Sequence, residues 1–223
     1  KSAESMLGKI VWRTTVIFAL GLLLWLIPDF DFTDLRIPGV LQRIAIVFFV
    51  CSVLYLFTSW RVHAWLCGLL LVGYWALLML VPVPVDEVIR TALETGEVRT
   101  QGEPIHVTGL QPLGNDAIAG NLQPATNLAA WIDRAVIPGR LWQYTWDPEG
   151  LLSTLPAIAT GITGLLVGAL LLANVDTERK IVWLMIAGFS AFALAGVWNW
   201  FFPYNKNLWS SSFVLYTSGL ATM

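Results

Sequence analysis

The stretch GLLSTLPAIATGITGLLVGALLLA occupies residues 150–173 and contains no charged side chain. A helix needs about 20 predominantly apolar residues to cross a hydrocarbon core that is about 30 Å thick. Because residues 150–173 meet this requirement, they predict a membrane-spanning helix. The rest of the chain decides whether this helix stands alone.

Five more apolar stretches of comparable length follow the same pattern, at residues 10–27, 40–58, 64–82, 181–199 and 207–223. The chain is 57% hydrophobic and 13% charged, whereas a soluble domain carries about 25% charged residues. We therefore predict an all-α polytopic integral membrane protein with six transmembrane helices. Three would lie in residues 1–82 and three in 150–223, with the last one truncated, and 83–149 would form a long loop.

Composition also bears on the partners of the chain. The two cysteines, Cys51 and Cys67, both fall inside apolar stretches, which favours small core side chains over a disulfide or metal pair. The net charge of −2 gives no indication of nucleic-acid binding. We expect a lipid bilayer as the surrounding partner, and we expect neither bound metal nor nucleic acid.

Basic residues in the short loops predict the orientation in the membrane. Lys9, Arg13, Arg61 and the pair Arg179–Lys180 mark loops that should face the cytoplasm. Between Pro82 and Glu149, nine acidic residues outnumber four basic ones, as expected for an exported loop. The absence of N-x-S/T sequons favours a bacterial source, so we place the protein in the inner membrane with this loop in the periplasm.

The long loop contains two segments with helical patterns. They are VDEVIRTALETG at 85–96 and NLAAWIDRAVIPG at 127–139, and Asn127 suits the cap of the second. Residues 102–124 are rich in glycine and proline, so much of this part should be irregular. Trp131, Trp142, Tyr144 and Trp146 suggest that the loop lies at the membrane interface or covers a cavity.

Three polar clusters interrupt the apolar pattern on the predicted outer side. They are DLRIPGVLQR at 34–43, WDPEG at 146–150 and YNKNLWSSS at 204–212. Each cluster precedes a helix that should run inward, so each brings a helix N-terminus to the same face. Such a terminus has unpaired N–H groups and about half a positive charge.

Residues within the clusters suit the beginnings of these helices. Pro38 and Pro148 fit the first helical position, where a missing N–H costs nothing. Asp147 fits the cap before Pro148, and Asn205 or Asn207 fits the cap of the sixth helix. Arg43 should then lie about one turn below the start of its helix, where a charge usually pairs or lines a cavity.

The clusters predict one shared site for an anion, or for a polar ligand that develops negative charge. Arg43 and Lys206 would stabilise this charge, and Asp147 and Glu149 would hold hydroxyl or amine groups. The serines 210–212 would donate further hydrogen bonds, and tryptophan rings would stack on a sugar. The candidate site residues are Arg36, Arg43, Trp146, Asp147, Glu149, Asn205, Lys206, Asn207, Trp209 and Ser210. An alternative is a purely structural ion pair between Arg43 and Asp147 or Glu149.

Other motifs give weaker indications. His63 and His106 could titrate near neutral pH, but neither lies in a polar cluster. The Gly164-x-x-x-Gly168 pattern is typical of closely packed membrane helices. We expect it to serve packing within the chain, while a homodimer is the alternative.

The polar clusters resemble motifs of a known family. RIPGVLQR, WDPEG and NKNLWSSSFV, with GKIVWR before them and VPVP after the third apolar stretch, are similar to the transmembrane acetyltransferases typified by lysosomal heparan-α-glucosaminide N-acetyltransferase. Bacterial relatives of this family carry the labels NagX or DUF5009. The resemblance extends over nearly the whole chain, with the motifs in the same order.

The resemblance implies a bundle of about eleven membrane spans, of which this chain would supply six. It implies acetyl transfer from cytosolic acetyl-CoA to the amine of a terminal glucosamine on the far side of the membrane. Asn205, Lys206 and Asn207 would line the place where thioester and sugar meet. The family's proposed catalytic histidine belongs to a segment near an LDxxRG motif that this chain lacks, and neither His63 nor His106 matches it. The catalytic residue therefore stays unknown.

Two other functions are compatible with the same residues. A transporter of N-acetylglucosamine or related amino sugars would also need a polar cavity with aromatic walls. Broken helices at mid-membrane would favour transport, but here the interruptions are limited to Pro156 and the glycines of the fourth stretch. A membrane scaffold that binds a partner through the long loop is the third possibility.

Overall fold

The computed structural model describes residues 3–27, 30–32 and 34–223 and is mostly helical. Within these residues there are eight α-helices and four two-residue strands. The helices are α1 (Ala3–Leu26), α2 (Val40–Phe57), α3 (Trp60–Leu80), α4 (Glu87–Thr95), α5 (Leu128–Val136), α6 (Thr154–Leu172), α7 (Thr177–Trp198) and α8 (Ser211–Thr222). The strands are β1 (Val83–Pro84), β2 (Glu97–Val98), β3 (Ile105–His106) and β4 (Ala117–Ile118).

Five of the described helices, α1, α2, α3, α6 and α7, are long and apolar enough to cross a membrane. They expose large apolar side chains to the outside, such as Leu24, Leu69 and Phe189. Water would penalise this exposure and lipid does not, so these helices indicate a membrane protein. The sixth predicted span contains the 12-residue helix α8, and the count of six spans stays a prediction.

Between α3 and α6, two short strand pairs accompany the two predicted helices, and most of residues 102–124 lies outside helices and strands, as predicted. Strand β1 pairs antiparallel with β4, and β2 pairs antiparallel with β3. Both predicted helices are confirmed as α4 and α5, and the Asn127 side chain accepts a hydrogen bond from the Ala130 N–H at 3.0 Å. The prediction of the Asn127 cap is therefore confirmed.

This segment packs on one end of the helices through a continuous apolar cluster. Tyr74 and Leu78 of α3 contact buried side chains of the segment, including Ile89 and Ile118. Phe202, from the link between α7 and α8, completes the cluster. As a result, the segment is held against the same end of the molecule at which α2, α6 and α8 begin.

The helices α2, α6 and α8 begin later than their sequence predicts. α2 follows Gly39 rather than beginning at Pro38. α6 follows Ser153, well after Asp147 and Pro148. α8 follows Ser210, so neither predicted asparagine is its cap.

The predicted capping residues close local turns instead. The Asp147 carboxylate accepts a hydrogen bond from the Glu149 N–H at 2.9 Å. The Asn205 side-chain oxygen accepts from the N–H groups of Asn207 and Leu208 at 2.9 and 3.1 Å. Both are turns in which an Asp or Asn side chain binds its own backbone, and this bond competes with helix capping.

Close helix packing occurs at a glycine that the sequence motif does not include. A Cβ atom at Gly161 of α6 would lie 2.6 Å from both the Cys51 sulfur and a Val47 methyl carbon of α2. At Gly164 and Gly168, by contrast, a Cβ atom would meet nothing within 4 Å. Among the described residues, the Gly164-x-x-x-Gly168 pattern therefore does not make the expected close helix contact. Cys51 and Cys67 are free and buried, as predicted.

Candidate functional site

A pocket of about 580 Å³ lies between α2, α6 and the turn that precedes α8. Arg43, Glu149, Lys206 and Trp209 supply its polar and aromatic lining. Its remaining wall is largely apolar and is formed by Val40, Ile44, Val47, Phe48, Ala157, Thr160 and Gly161. We call this cavity the arginine pocket. Residues from all three polar clusters meet in it.

Arg43 is buried in the pocket wall with only 6% of its surface exposed. Its Nη2 donates to the Pro148 carbonyl oxygen and to the Ser153 hydroxyl oxygen. Its Nε and Nη1 are buried and have no partner among the described residues. A buried charge with unpaired donors is costly unless an acceptor meets it. This side chain is therefore suited to bind an anionic oxygen.

Trp209 holds the Arg43 guanidinium in place. The guanidinium carbon lies 5.2 Å from the centre of the indole ring, a distance at which a cation is attracted to an aromatic face. The indole N–H donates to the Thr160 hydroxyl of α6 at 3.1 Å. The pocket thus contains a cation from α2 whose position is fixed by Trp209, which in turn is held by Thr160 of α6.

Arg36, rather than Arg43, forms ion pairs with the carboxylates of the WDPEG cluster. Its Nε and Nη2 donate to the two oxygens of Asp147 at 2.8 and 2.7 Å. The same Nη2 donates to Glu149 at 2.6 Å. The rings of Trp25 and Trp142 lie 5.7 and 4.9 Å from the guanidinium carbon. The structural ion pair that we considered for Arg43 is therefore formed by Arg36.

Electrostatics strengthens this ion pair. Burial alone would lower the pKa of the Arg36 guanidinium, but its hydrogen bonds and charge interactions with Asp147 and Glu149 outweigh burial and raise the pKa. Asp147 has no exposed side-chain surface and Glu149 keeps 19% of its own. Arg36 and Asp147 lie behind the arginine pocket and position Glu149, which lines it.

Asp133 of α5, which was not among the predicted site residues, supports the same turn. Its side chain accepts a hydrogen bond from the Leu151 N–H at 2.8 Å. A Cβ atom at Gly150 would overlap this carboxyl group, so only glycine fits there. Burial raises the pKa of Asp133 to about 7, and the nearby charge of Asp147 acts in the same direction. An acidic residue on the buried face of the amphipathic helix α5 was the available signal.

The other predicted site residues do not line the arginine pocket. Trp146 packs against an apolar cluster that includes Ala92 and Val98. Asn205 lines a neighbouring cavity, and Asn207 is exposed. Ser210 is fully buried, where its hydroxyl donates to the Pro203 carbonyl at 2.8 Å.

Two further serines of the third cluster have similar surroundings. The hydroxyl of Ser211 donates to the Leu71 carbonyl of α3, and that of Ser212 donates to the Phe202 carbonyl. Both side chains are fully buried. Because both hydroxyl protons are donated to backbone carbonyls of the protein, these serines hold the beginning of α8 against α3 and the link that precedes α8.

The two histidines lie away from the pocket. His63 is buried near the beginning of α3, with its Nε2 3.2 Å from the Leu54 carbonyl oxygen. His106 is exposed on β3, and its Nδ1 lies 3.4 Å from a Glu97 carboxylate oxygen. Neither residue is among those that line the arginine pocket.

Apolar helices, with a pocket at their ends that contains two basic side chains, define a membrane protein with a candidate binding site for an anion. Among curated proteins, the chain is similar to two proteins named heparan-alpha-glucosaminide N-acetyltransferase. It is 28% identical to the Mus musculus protein over 259 residues and 29% identical to the Homo sapiens protein over 262 residues. The alignments cover 96% and 97% of this chain but 36% of each relative.

The chain thus spans about a third of the length of these relatives. A comparison with protein-family models finds no match. The two relatives support the heparan-α-glucosaminide N-acetyltransferase-like family that the motifs predict. The labels NagX and DUF5009 stay predictions.

Proposed function

We propose that the chain is part of a membrane acyltransferase that moves an acetyl group from cytosolic acetyl-CoA to the amine of a glucosamine-type sugar. The sugar would be bound on the extracytoplasmic side. The observation that carries this proposal is the buried, incompletely paired Arg43 in a pocket that also contains Glu149 and Lys206. The names of the two relatives support the same reaction class.

In the proposed reaction the sugar amine attacks the thioester carbonyl carbon. A C–N bond forms, the C–S bond breaks, and the proton lost by the amine is ultimately taken up by the departing CoA sulfur. Negative charge develops on the carbonyl oxygen in the transition state. Arg43 lines the pocket, so the positive charge of its guanidinium would stabilise this oxygen.

Lys206 and Glu149 have complementary roles in this proposal. Lys206 is exposed and has no ion-pair partner among the described residues, so its ammonium is available to the reacting carbonyl or to a sugar hydroxyl. Arg36 fixes one Glu149 oxygen at 2.6 Å. The other oxygen would accept a hydrogen bond from the sugar amine and orient it for attack.

A second cavity, which we call the hydroxyl groove, supports the route of the acyl donor. It has a volume of about 350 Å³ and lies between α6 and α8. Thr160 lines both the groove and the arginine pocket, and Thr163 and Ser218 follow farther along the helices. We place the pantetheine arm of acetyl-CoA here, with its amide N–H groups donating to the remaining lone pairs of these hydroxyls and its thioester in the arginine pocket.

The test is acetyl transfer by the purified full-length protein with acetyl-CoA and glucosamine. Removing one donor that meets a developing oxyanion typically lowers turnover by about 10²–10³. We expect a loss of this size for Arg43→Gln. The matched control is Arg90→Gln, because Arg90 is exposed on α4 and lies outside the pocket. Unchanged turnover in Arg43→Gln would reject the proposed role of this residue.

Transport of N-acetylglucosamine is the competing function. The two curated relatives carry transferase names and so do not favour it. Uptake of sugar into proteoliposomes in the absence of acetyl-CoA, without acetylation in detergent, would contradict the acyltransferase proposal.

A further inference from the structure

A groove of about 560 Å³ lies between α3, α6 and α7, at the end of α6 that is remote from the arginine pocket. We call it the tryptophan groove. No charged side chain is among the described residues that line it, and it shares none of them with the hydroxyl groove on the α8 side of α6. Its lining includes Trp60, Ala64, Leu166, Ala169, Ala173 and Trp183.

The tryptophan groove is open on the side that faces away from the other helices. Trp60 and Trp183 are 58% and 57% exposed, and Ala64 is exposed between them. The helices α3, α6 and α7 are all long and apolar enough to cross a membrane, so in a bilayer this surface meets lipid chains. The small alanine side chains give the groove its depth, and the apolar lining suits hydrocarbon.

The length of the groove matches part of one membrane leaflet. On α6 its lining extends from Ala173, at the end of the helix, back to Leu166. About seven helical residues at 1.5 Å each span about 10 Å. One leaflet contributes about 15 Å, which is half of the hydrocarbon core. The groove therefore has room for about two thirds of an acyl chain, counted from the headgroup.

Two cations lie at the mouth of the tryptophan groove. The Arg61 guanidinium carbon lies 5.6 Å from the centre of the Trp60 ring, which lines the groove. The Lys180 ammonium donates to the Leu171 carbonyl oxygen at 2.7 Å. Both contacts place positive charge at the end of the molecule where α3 begins, α6 ends and α7 begins.

The carboxylates at this end do not cancel the positive charge. Asp176 lies 3.9 Å from the Nε of Arg179, and Glu178 is exposed in the first turn of α7. Together with Arg61 and Lys180, Arg179 makes the cations outnumber these two carboxylates by three to two. The segment between α3 and α6, at the other end, has the opposite balance of charge.

We propose that the tryptophan groove binds an anionic phospholipid, with one acyl chain of the lipid in the groove. The lipid phosphate would lie between Arg61 and Lys180, because basic residues beside membrane helices attract anionic headgroups. The two indole rings would lie at the level of the glycerol backbone, where tryptophan is enriched. The site would take lipid from the leaflet on the predicted cytoplasmic side, and it does not depend on acetyl transfer.

The experiment counts bound lipids by native mass spectrometry of the full-length protein, purified and delipidated in detergent. The two probes are phosphatidylglycerol and phosphatidylcholine with identical acyl chains, so they differ in headgroup charge alone. A basic residue near an anionic lipid surface corresponds to about fivefold in affinity. With two such residues, we expect the first phosphatidylglycerol to bind about 10- to 30-fold more tightly than the first phosphatidylcholine.

Charge variants locate the headgroup. The double variant Arg61→Gln with Lys180→Gln should lower the preference for phosphatidylglycerol to about threefold or less. Arg13→Gln is the matched control, because Arg13 is exposed on α1, which does not contribute to the groove. Arg13→Gln should retain the full preference.

A volume variant locates the acyl chain. Ala169→Leu adds a larger side chain inside the groove and should weaken the first binding event of both lipids by about tenfold. Ala193→Leu is its matched control, because Ala193 is exposed on α7 outside the groove. Ala193→Leu should bind both lipids as the wild type does.

Equal affinities of the wild type for the two lipids would overturn the proposal, and this comparison needs no variant. An unchanged preference in the double charge variant would also overturn it, as would unchanged binding in Ala169→Leu or equal losses in the controls. Displacement of phosphatidylglycerol by an excess of coenzyme A would assign the groove to a soluble nucleotide instead, and would equally overturn the proposal.

Discussion

Arg36 and Arg43 belong to one polar cluster, but the structure gives them different tasks. Arg36 precedes α2 in irregular backbone, and it reaches two carboxylates between two indole rings. Arg43 lies inside α2, where it meets a carbonyl and a hydroxyl but no carboxylate partner among the described residues. Removing one partner of a buried ion pair leaves an uncompensated charge, so Arg36 has a structural role, whereas the incompletely paired Arg43 is suited to bind a ligand.

Asp133 provides a test at the residue scale through pH. Its pKa is about 7 in the folded protein and about 4 in the unfolded chain. The folded state therefore binds more protons between these values, so this residue makes the protein less stable as the pH rises from about 4 to about 7. We expect the Tm of Asp133→Asn to fall less than the Tm of the wild type as the pH rises through this range. The two decreases should differ by on the order of 5 °C.

The measurement is thermal unfolding of the wild type and the variant in the same detergent at pH 5 and pH 8. Asparagine can still accept the hydrogen bond from the Leu151 N–H. Charges that face Asp133 from neighbouring elements, Arg43, Arg134 and Asp147, are present in both proteins. An equal change in Tm between pH 5 and pH 8 in both proteins would show that Asp133 does not titrate in this range.

At the scale of elements, the contact of α2 with α6 sets the geometry of the arginine pocket. α2 carries Arg43, and Gly161 of α6 lets the two helices approach closely. The turn of residues 147–150 then places Glu149 beside this contact. Because Asp147 and Asn205 bind their own turns instead of capping a helix, α6 and α8 begin several residues after these predicted caps.

Gly161→Val tests this contact. The added side chain would meet Cys51 and Val47 of α2, and such overpacking typically costs about 1–3 kcal/mol. We expect a lower Tm in detergent and a lower rate of acetyl transfer, since Gly161 also lines the pocket. The matched control is Gly168→Val, two turns along the same helix, where a Cβ atom meets no described atom within 4 Å and which lines neither the arginine pocket nor the hydroxyl groove. Equal losses in the two variants would contradict the assignment of the close contact to Gly161.

At the scale of the whole molecule, the segment between α3 and α6 covers the end at which the arginine pocket lies. Its apolar cluster joins α3 to the link between α7 and α8. The third polar cluster, residues 204–212, lies at the end of this link and in the first turn of α8. Packing of the segment therefore positions Lys206 and Trp209, which line the arginine pocket.

The predicted orientation can be tested by labelling intact cells with a membrane-impermeant maleimide. Asn115→Cys lies at an exposed position between α3 and α6, and Glu178→Cys lies at an exposed position in the first turn of α7. We expect labelling of Asn115→Cys in intact cells and of Glu178→Cys only after permeabilisation. Cys51 and Cys67 are buried, so their background should be low. The reverse labelling pattern would contradict the predicted orientation and place the arginine pocket on the cytoplasmic side of the membrane.

The sequence by itself determined the membrane class, the positions of the long helices, the burial of the cysteines and the resemblance to an acetyltransferase family. These features depend on local hydropathy, on helix signals within a few residues and on short motifs. Only the tertiary structure decided which arginine binds the carboxylates, that Asp133 supports the WDPEG turn, and that Gly161 rather than Gly164 packs closely. Each of these contacts joins groups that are distant in sequence, as Arg36 and Asp147 are, and local patterns carry no information about such partners.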